Sequence, residues 1–236
     1  MRMTNAGRGS RALSVPAREQ VVIITIDGPA GAGKSTVARA LASRLGFCYL
    51  DTGAMYRAAA LAALREHVDW NQPDDVAEVA SNVNIHLADD RVFLDGEDVT
   101  DAIRTQEITA ITRHTADNPK VREHLVVLQR EMAGRENVVT EGRDQGTVAF
   151  ADADCKFYLT ATPEERARRR LLDLRARGED ATYEEVLRAQ EARDRRDANR
   201  EVGPLARAPD AIELVTDGMS IDEVVDRLVQ LLPGKR

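Results

Sequence analysis

Gly28-Pro29-Ala30-Gly31-Ala32-Gly33-Lys34-Ser35 fits the pattern G-x-x-x-x-G-K-[ST]. The run before it, Val21 to Asp27, is short, apolar and β-branched, as in a buried strand. The run after it, Val37 to Leu45, has helical apolar spacing. Strand, glycine-rich loop and helix together make a phosphate site: backbone N–H groups wrap polyphosphate oxygens and the helix N-terminus adds partial positive charge. Lys34 reaches the β- and γ-phosphates, and the Ser35 hydroxyl is the expected Mg²⁺ ligand. The alternative is a glycine-rich turn that binds nothing, and the joint register of glycines, lysine and hydroxyl argues against it.

Strand candidates recur between helical segments: 21–27, Phe47–Asp51, Asn137–Glu141, Lys156–Ala161 and Ala211–Thr216. This alternation predicts an α/β fold, a five-stranded parallel sheet with helices on both faces. Ligands in such folds bind beyond the carboxyl ends of the strands. The chemistry-bearing segments Asp51–Arg57, Glu141–Asp144 and the arginine-rich stretch after Ala161 all follow strand ends. The region 58–118 breaks the alternation. Helices are expected at 58–66 and 73–82, then a hairpin of 83–87 and 91–94, with Asp95-Gly96 as a further turn signal. This predicts a small α+β insert on a core of 20–57, 119–163 and 201–236. Residues 164–200 read as two polar helices around a turn at Gly178, and Ser220 with Glu223 as the capping box of a last helix.

The chain has 236 residues, 33 Lys and Arg against 40 Asp and Glu, and a net charge of −7. That balance argues against a general nucleic-acid partner. No apolar run approaches a membrane span. Residues 1–19, with Arg2, Arg8, Arg11 and Arg18, lack the apolar stretch of a secretory signal and read as a disordered tail, with a transit peptide as the lesser alternative. Cys48 and Cys155 read as buried reduced thiols. These features predict a cytoplasmic protein.

An acceptor that is itself a phosphate needs more cations than the loop supplies, and arginine binds its oxygens bidentately. Arg57, Arg143 and the pair Arg193 and Arg200 are such cations. Arg193, Asp197 and Arg200 share a helix face, either to hold a phosphate beside a sugar hydroxyl or as a solvated ion-paired face. Arg166, Arg169 and Arg170 share another, and the acidic chain favours a lid over ATP rather than a nucleic-acid patch.

The series Asp27–Ser35, Leu50–Arg57, Gly96–Val99, Ile103–Glu107, Glu141–Val148 and Arg193–Arg200, in this order, is similar to the bacterial-type cytidylate kinases, small P-loop kinases of nucleoside monophosphates. The resemblance runs from about residue 21 to the C-terminus. It implies transfer of the γ-phosphoryl of ATP to CMP or dCMP with Mg²⁺, a nucleotide-monophosphate insert at 58–118 and a mobile lid at 164–200. It implies a catalytic set of Lys34, Arg143 and Arg193. Gly28, Pro29, Ala30, Gly31, Ala32, Gly33, Lys34, Ser35 and Thr36 would bind ATP together with Arg169, beside Arg166 or Arg170. Arg57, Arg143, Arg193 and Arg200 would hold the acceptor phosphate, Asp197 the pentose, Arg122 and Asp144 the cytosine, and Thr52 and Tyr56 would line the pocket. A carboxylate suits the cytosine amine and a guanidinium suits ring N3, whereas uracil reverses both partners. Monomeric action without an obligate protein partner is expected. Two positions depart from the family pattern: Arg113 stands where a base-contacting serine is usual, with Thr112 or Thr115 as substitutes, and Gln145 replaces an apolar residue. The alternative is a P-loop kinase for another acceptor, such as UMP, AMP or a sugar acid. A guanine-reading switch would need an Asn-Lys-x-Asp run, which the sequence lacks.

Overall fold

The computed structural model describes residues 21–88, 90–176 and 178–233; the expected disordered tail lies outside them. Its elements in order are β1 Ile23–Asp27, α1 Lys34–Leu45, β2 Cys48–Asp51, α2 Thr52–Arg65, α3 Pro73–Asn82, β3 Ile85–Ala88, β4 Arg91–Leu94 and β5 Glu97–Asp98. A 3₁₀ turn, Ala102–Arg104, leads to α4 Gln106–Ala116, α5 Pro119–Ala133 and β6 Val138–Gly142. A π-helical turn, Gln145–Ala149, then precedes β7 Cys155–Thr160, α6 Pro163–Ala176, α7 Tyr183–Ala198, β8 Ile212–Val215 and α8 Ile221–Leu231.

The main sheet has the order β2-β6-β1-β7-β8 and is parallel throughout, as the alternation predicts. In register, Asp27 lies beside Gly142 and Asp51 beside Glu141. The strand ends are therefore level, and the loops leaving β1, β2 and β6 share one rim. Ile24 and Ile26 of β1 point to the face covered by α1 and α8, where Leu41, Phe157, Leu159, Val225 and Leu228 are fully buried. Each such side chain contributes roughly 1.5–3 kcal/mol on burial.

The opposite face runs without a break into the insert. Leu50, Met55, the alanines of α2, Val76, Val92, Ile103, Val121, Leu125 and Phe150 form one apolar cluster. The hairpin is present as β3 and β4, and the turn at Asp95-Gly96 adds the short β5, with φ of 51° and 86° at its two central residues. Positive φ at both suits the right-handed strand twist, and Asp-Gly tolerates it. Pro73 and Pro119 open α3 and α5, where a missing N–H costs nothing, and Asn118 caps α5 through Lys120 and Val121 N–H. The capping box of Ser220 and Glu223 is present.

Two expectations are corrected. The helix expected over 58–66 begins at Thr52, because the Asp51 carboxylate accepts from Ala54 N–H at 2.8 Å and caps it there. Cys48 is exposed rather than buried: β2 is an edge strand, and its thiol meets Glu136 at the surface. Cys155, on a central strand, is buried as expected.

Helices α6 and α7 stand apart. Ala167, Leu171, Leu174 and Val186 form their own small cluster, and the pair meets the body through polar groups. No helix among the described residues is long and apolar enough to cross a membrane.

Candidate active site

The phosphate loop follows from its glycines. Gly28, at φ 148°, leaves no room for a side chain: a Cβ there would lie 1.9 Å from Leu159 O. Gly33, at φ 85°, is left-handed and immediately precedes α1. Lys34 is buried, and its ammonium donates to Pro29 O at 2.9 Å. Burial, and next the nearby Arg143 charge, lower its pKa to about 7. A polyphosphate in the loop would restore the charge by opposite pull. Ser35 Oγ donates to Glu141 Oε1 at 2.9 Å, so a carboxylate oxygen stands beside the hydroxyl. Asp27, at the end of β1, accepts from Gln145 N–H and Gly146 N–H at 2.9 and 2.7 Å and braces the π-helical turn against the loop. Burial still raises its pKa to about 6, against those two bonds.

Opposite the loop, four arginines converge from three elements. Arg57 of α2 pairs with Asp51 at 3.3 Å. Arg143, just past β6, donates to Asp197 of α7 at 2.9 Å, and Arg200 donates to the same carboxylate at 2.6 Å and to Asp117 at 2.6 Å. Arg193 comes no closer than 4.0 Å to Asp197. Protein crowds it, yet 49% of its side chain still meets solvent. That crowding, and repulsion from Arg143, Arg57 and Arg200, lower its pKa to about 10. Burial alone would raise the Asp197 pKa, but Arg143, Arg200 and Arg193 outweigh it and hold the carboxyl below its ordinary range. Asp197 is thus buried at the junction of three guanidiniums, which decides against a merely solvated face. Arg57 Nε is buried and has no hydrogen-bond partner among the described residues.

Arg122 of α5 and Asp144 pair with each other, both nearly fully buried. Arg122 also donates to Ala116 O at 3.0 Å and lies 5.3 Å over the Tyr56 ring, while its Nε is unpartnered. Burial opposes the Arg122 charge, but Tyr56 and Asp144 outweigh it; burial raises the Asp144 pKa against the pull of Arg122. Gly203, at φ 62°, passes so close that a Cβ would lie 2.1 Å from Arg122 Nη2. Thr52 donates to Glu141 O at 2.7 Å and tethers α2 to β6.

The remaining expectations separate. Arg169 sits beside Gly33, bonded to Glu165 and to Thr216, and Arg166 grips Ala30 O of the loop at 2.8 Å. Arg170 makes no polar contact among the described residues. Arg113 points away from the arginine cleft, exposed, with its Nε on His114. Of its two candidate substitutes, Thr112 donates to Ile108 O and Thr115 to Tyr56 O, so Thr115 supports the backbone under the pocket. Gln145 is fully buried, and its side-chain oxygen accepts from Thr140 of β6 at 3.0 Å. Sequence reasoning missed Glu141 as the partner of Ser35, the brace at Asp27, and Asp117 and Asp194. Those pairings cross long stretches of chain, and only the level strand ends hinted at the first two.

A profile of the cytidylate kinase family matches residues 24–233. The chain belongs to the cytidylate kinase family. Curated relatives include the cytidylate kinase of Desulfitobacterium hafniense, 51% identical over 90% of this chain and 93% of that one. That of Rhodopirellula baltica is 49% identical over 89% and 92%. A solved structure of an uncharacterized protein from Eubacterium ventriosum superposes with a TM-score of 0.50 at 14% identity, covering 90% of this chain and 98% of that one. That last likeness is one of fold alone.

Proposed function

We propose that this protein transfers the γ-phosphoryl group of ATP to CMP or dCMP, giving CDP or dCDP and ADP. The observation that carries the reading is the arginine cluster of Arg57, Arg143, Arg193 and Arg200 beside the phosphate loop, with Arg143 and Arg193 close enough for their charge to act on Lys34. Two anionic substrates must meet there, and phosphoryl transfer needs position and charge neutralisation above all. Gly28, Pro29, Ala30, Gly31, Ala32, Gly33, Lys34, Ser35 and Thr36 take the ATP phosphates, with Arg169 beside them. Lys34, Arg143 and Arg193 neutralise charge on the transferring group. Asp197 accepts from a pentose hydroxyl, and Arg57 and Arg200 share the acceptor phosphate.

The Arg122–Asp144 pair supports cytosine as the base. Asp144 can accept from the exocyclic amine and Arg122 can donate to ring N3, exchanging their mutual bond for two bonds to the base. Thr52 and Tyr56 flank the pocket. The hydroxyl of Ser35 and the carboxylate of Glu141, 2.9 Å apart, are hard oxygen donors that fit Mg²⁺. Mg²⁺ when bound supplies charge neutralisation at the β- and γ-phosphates. In this reading residues 58–118 form the acceptor-binding insert and 164–200 a lid. The protein acts as a cytoplasmic monomer and, with net charge −7, without a nucleic-acid partner. The test is the product: chromatography of a reaction with ATP, Mg²⁺ and CMP should show CDP and ADP in equal amounts, and ADP without CDP would refute it.

A further inference from the structure

Helix α7 carries two rows of side chains. Arg193 and Asp197 face the arginine cluster, with Arg200 just past the helix end bonded to Asp197, while Gln190 and Asp194, also one turn apart, face the phosphate loop. Asp194 Oδ1 accepts from Ala30 N–H at 3.0 Å, and its other oxygen pairs with Arg166. Arg166 in turn donates to Ala30 O at 2.8 Å and to Ala161 O at 3.1 Å. Both backbone polar groups of one loop residue, Ala30, are thereby tied to one ion pair. Gln190 donates to Arg166 O at 3.3 Å and packs so close to Gly31 that a Cβ there would lie 2.5 Å from its Nε2. The ion pair is largely removed from solvent, with 7% of the Arg166 side chain and 16% of the Asp194 side chain exposed.

We propose that Asp194 is a positioning residue: it locks α7 onto the phosphate loop and so sets Arg193, its neighbour on the helix, over the point of phosphoryl transfer. The proposal rests on the phosphoryl-transfer reading above. The apolar contacts of α7 lie in the small α6–α7 cluster, which fixes the two helices to each other and not to the loop. The polar lock is what fixes their register on the loop. A different role, a carboxylate occupying the loop in place of phosphate, is disfavoured because Arg166 already neutralises Asp194. A displacement of about 1 Å at a reacting centre costs about 10²-fold in rate.

The experiment compares kcat, KM for ATP and melting temperature for the wild type, Asp194→Asn, Asp194→Glu, Arg193→Lys and the double variant Asp194→Asn with Arg193→Lys, with CMP as acceptor. Asp194→Asn should lower kcat about 30-fold, while KM for ATP moves less than about 3-fold. Asp194→Glu keeps the charge but lengthens the tie, and should also lower kcat. In the Arg193→Lys background, Asp194→Asn should cost less than about 3-fold more, because the residue it positions is already altered. Unchanged kcat in both Asp194 variants, or the same loss in either background, overturns the positioning role. A fall in KM for ATP overturns it in favour of a phosphate mimic. If wild-type protein does not phosphorylate CMP, the functional reading fails, and the positioning role falls with it.

Discussion

The insert and the α6–α7 hairpin both reach the arginine cleft, but they are attached in opposite ways. The insert is continuous with the apolar core of the sheet, through Met55, Ile103, Val121 and Leu125. The hairpin has its own small core and joins the body through Asp194, Arg166, Arg169, Asp197 and Arg200. Apolar burial is non-directional and strong in sum, and it fixes the insert as a wall. Polar ties are directional and exchangeable with ligand oxygens, as a moving part requires. In the function proposed above, the base reader, Arg122 of α5 and Asp144 past β6, stands on the core that the insert packs against, while Arg193 and Arg200 ride on or beside the hairpin that would act as the lid. On that reading selection and closure are carried by different parts of one site.

The sharpest test of the fixed frame is Lys34→Ala, which should lower kcat by at least about 10³-fold in a correctly folded protein, since a charge partner of the transition state is lost. Near-normal kcat would remove the loop from the chemistry. Asp144→Asn should narrow the preference for CMP over UMP by about 10²-fold, because an amide can both donate and accept; an unchanged ratio would place base reading elsewhere. For the comparison itself, amide hydrogen exchange in about 1 M salt, where charges are screened within about 3 Å, should quicken several-fold in α6 and α7 and not in α2 or α5. Equal change in both regions would break the contrast.

The smallest effect is protonic. The Lys34 pKa of about 7 in the free protein lies below its ordinary value of 10.5. Between those values the folded protein holds less proton than the unfolded chain, so this group makes stability rise with pH from about 7 to about 10; below about 7 both states hold the proton and its contribution stays constant at its least favourable. Bound phosphates raise the pKa again, so ATP binding at pH 8 should take up close to one proton. Calorimetry in buffers of different ionisation enthalpy measures it. The uptake should vanish at pH 6 and in Lys34→Met.

What the sequence made legible follows the same division. The loop is contiguous and its glycines are required by backbone geometry, so its place after β1 and before α1 could be read from one stretch. Strand and hairpin positions followed from apolar alternation, with ends shifted by a residue or two. The start of α2 was not legible, because Asp51–Arg57 stood out for its chemistry after a strand end, and the helix start depends on the Asp51 cap. Nor was the exposure of Cys48, which depends on β2 being an edge strand, a fact of sheet order rather than of local pattern. The acceptor arginines were found as residue types with matching motifs. Asp117, the partner of Arg200, and Asp194, the partner of Arg166 and Ala30, were not, since Arg200 meets Asp117 across 83 positions and Ala30 meets Asp194 across 164. Arg113 remained ambiguous in sequence because only three dimensions turn it outward, onto His114.

The measurement that tests the central claim most directly is ADP release with ATP and Mg²⁺, offering CMP, dCMP, UMP, AMP and GMP separately. The account predicts fast turnover of CMP and dCMP, with UMP slower by about 10²-fold or more because it mismatches both members of the Arg122–Asp144 pair. Equal turnover of UMP, or none of CMP, would contradict it.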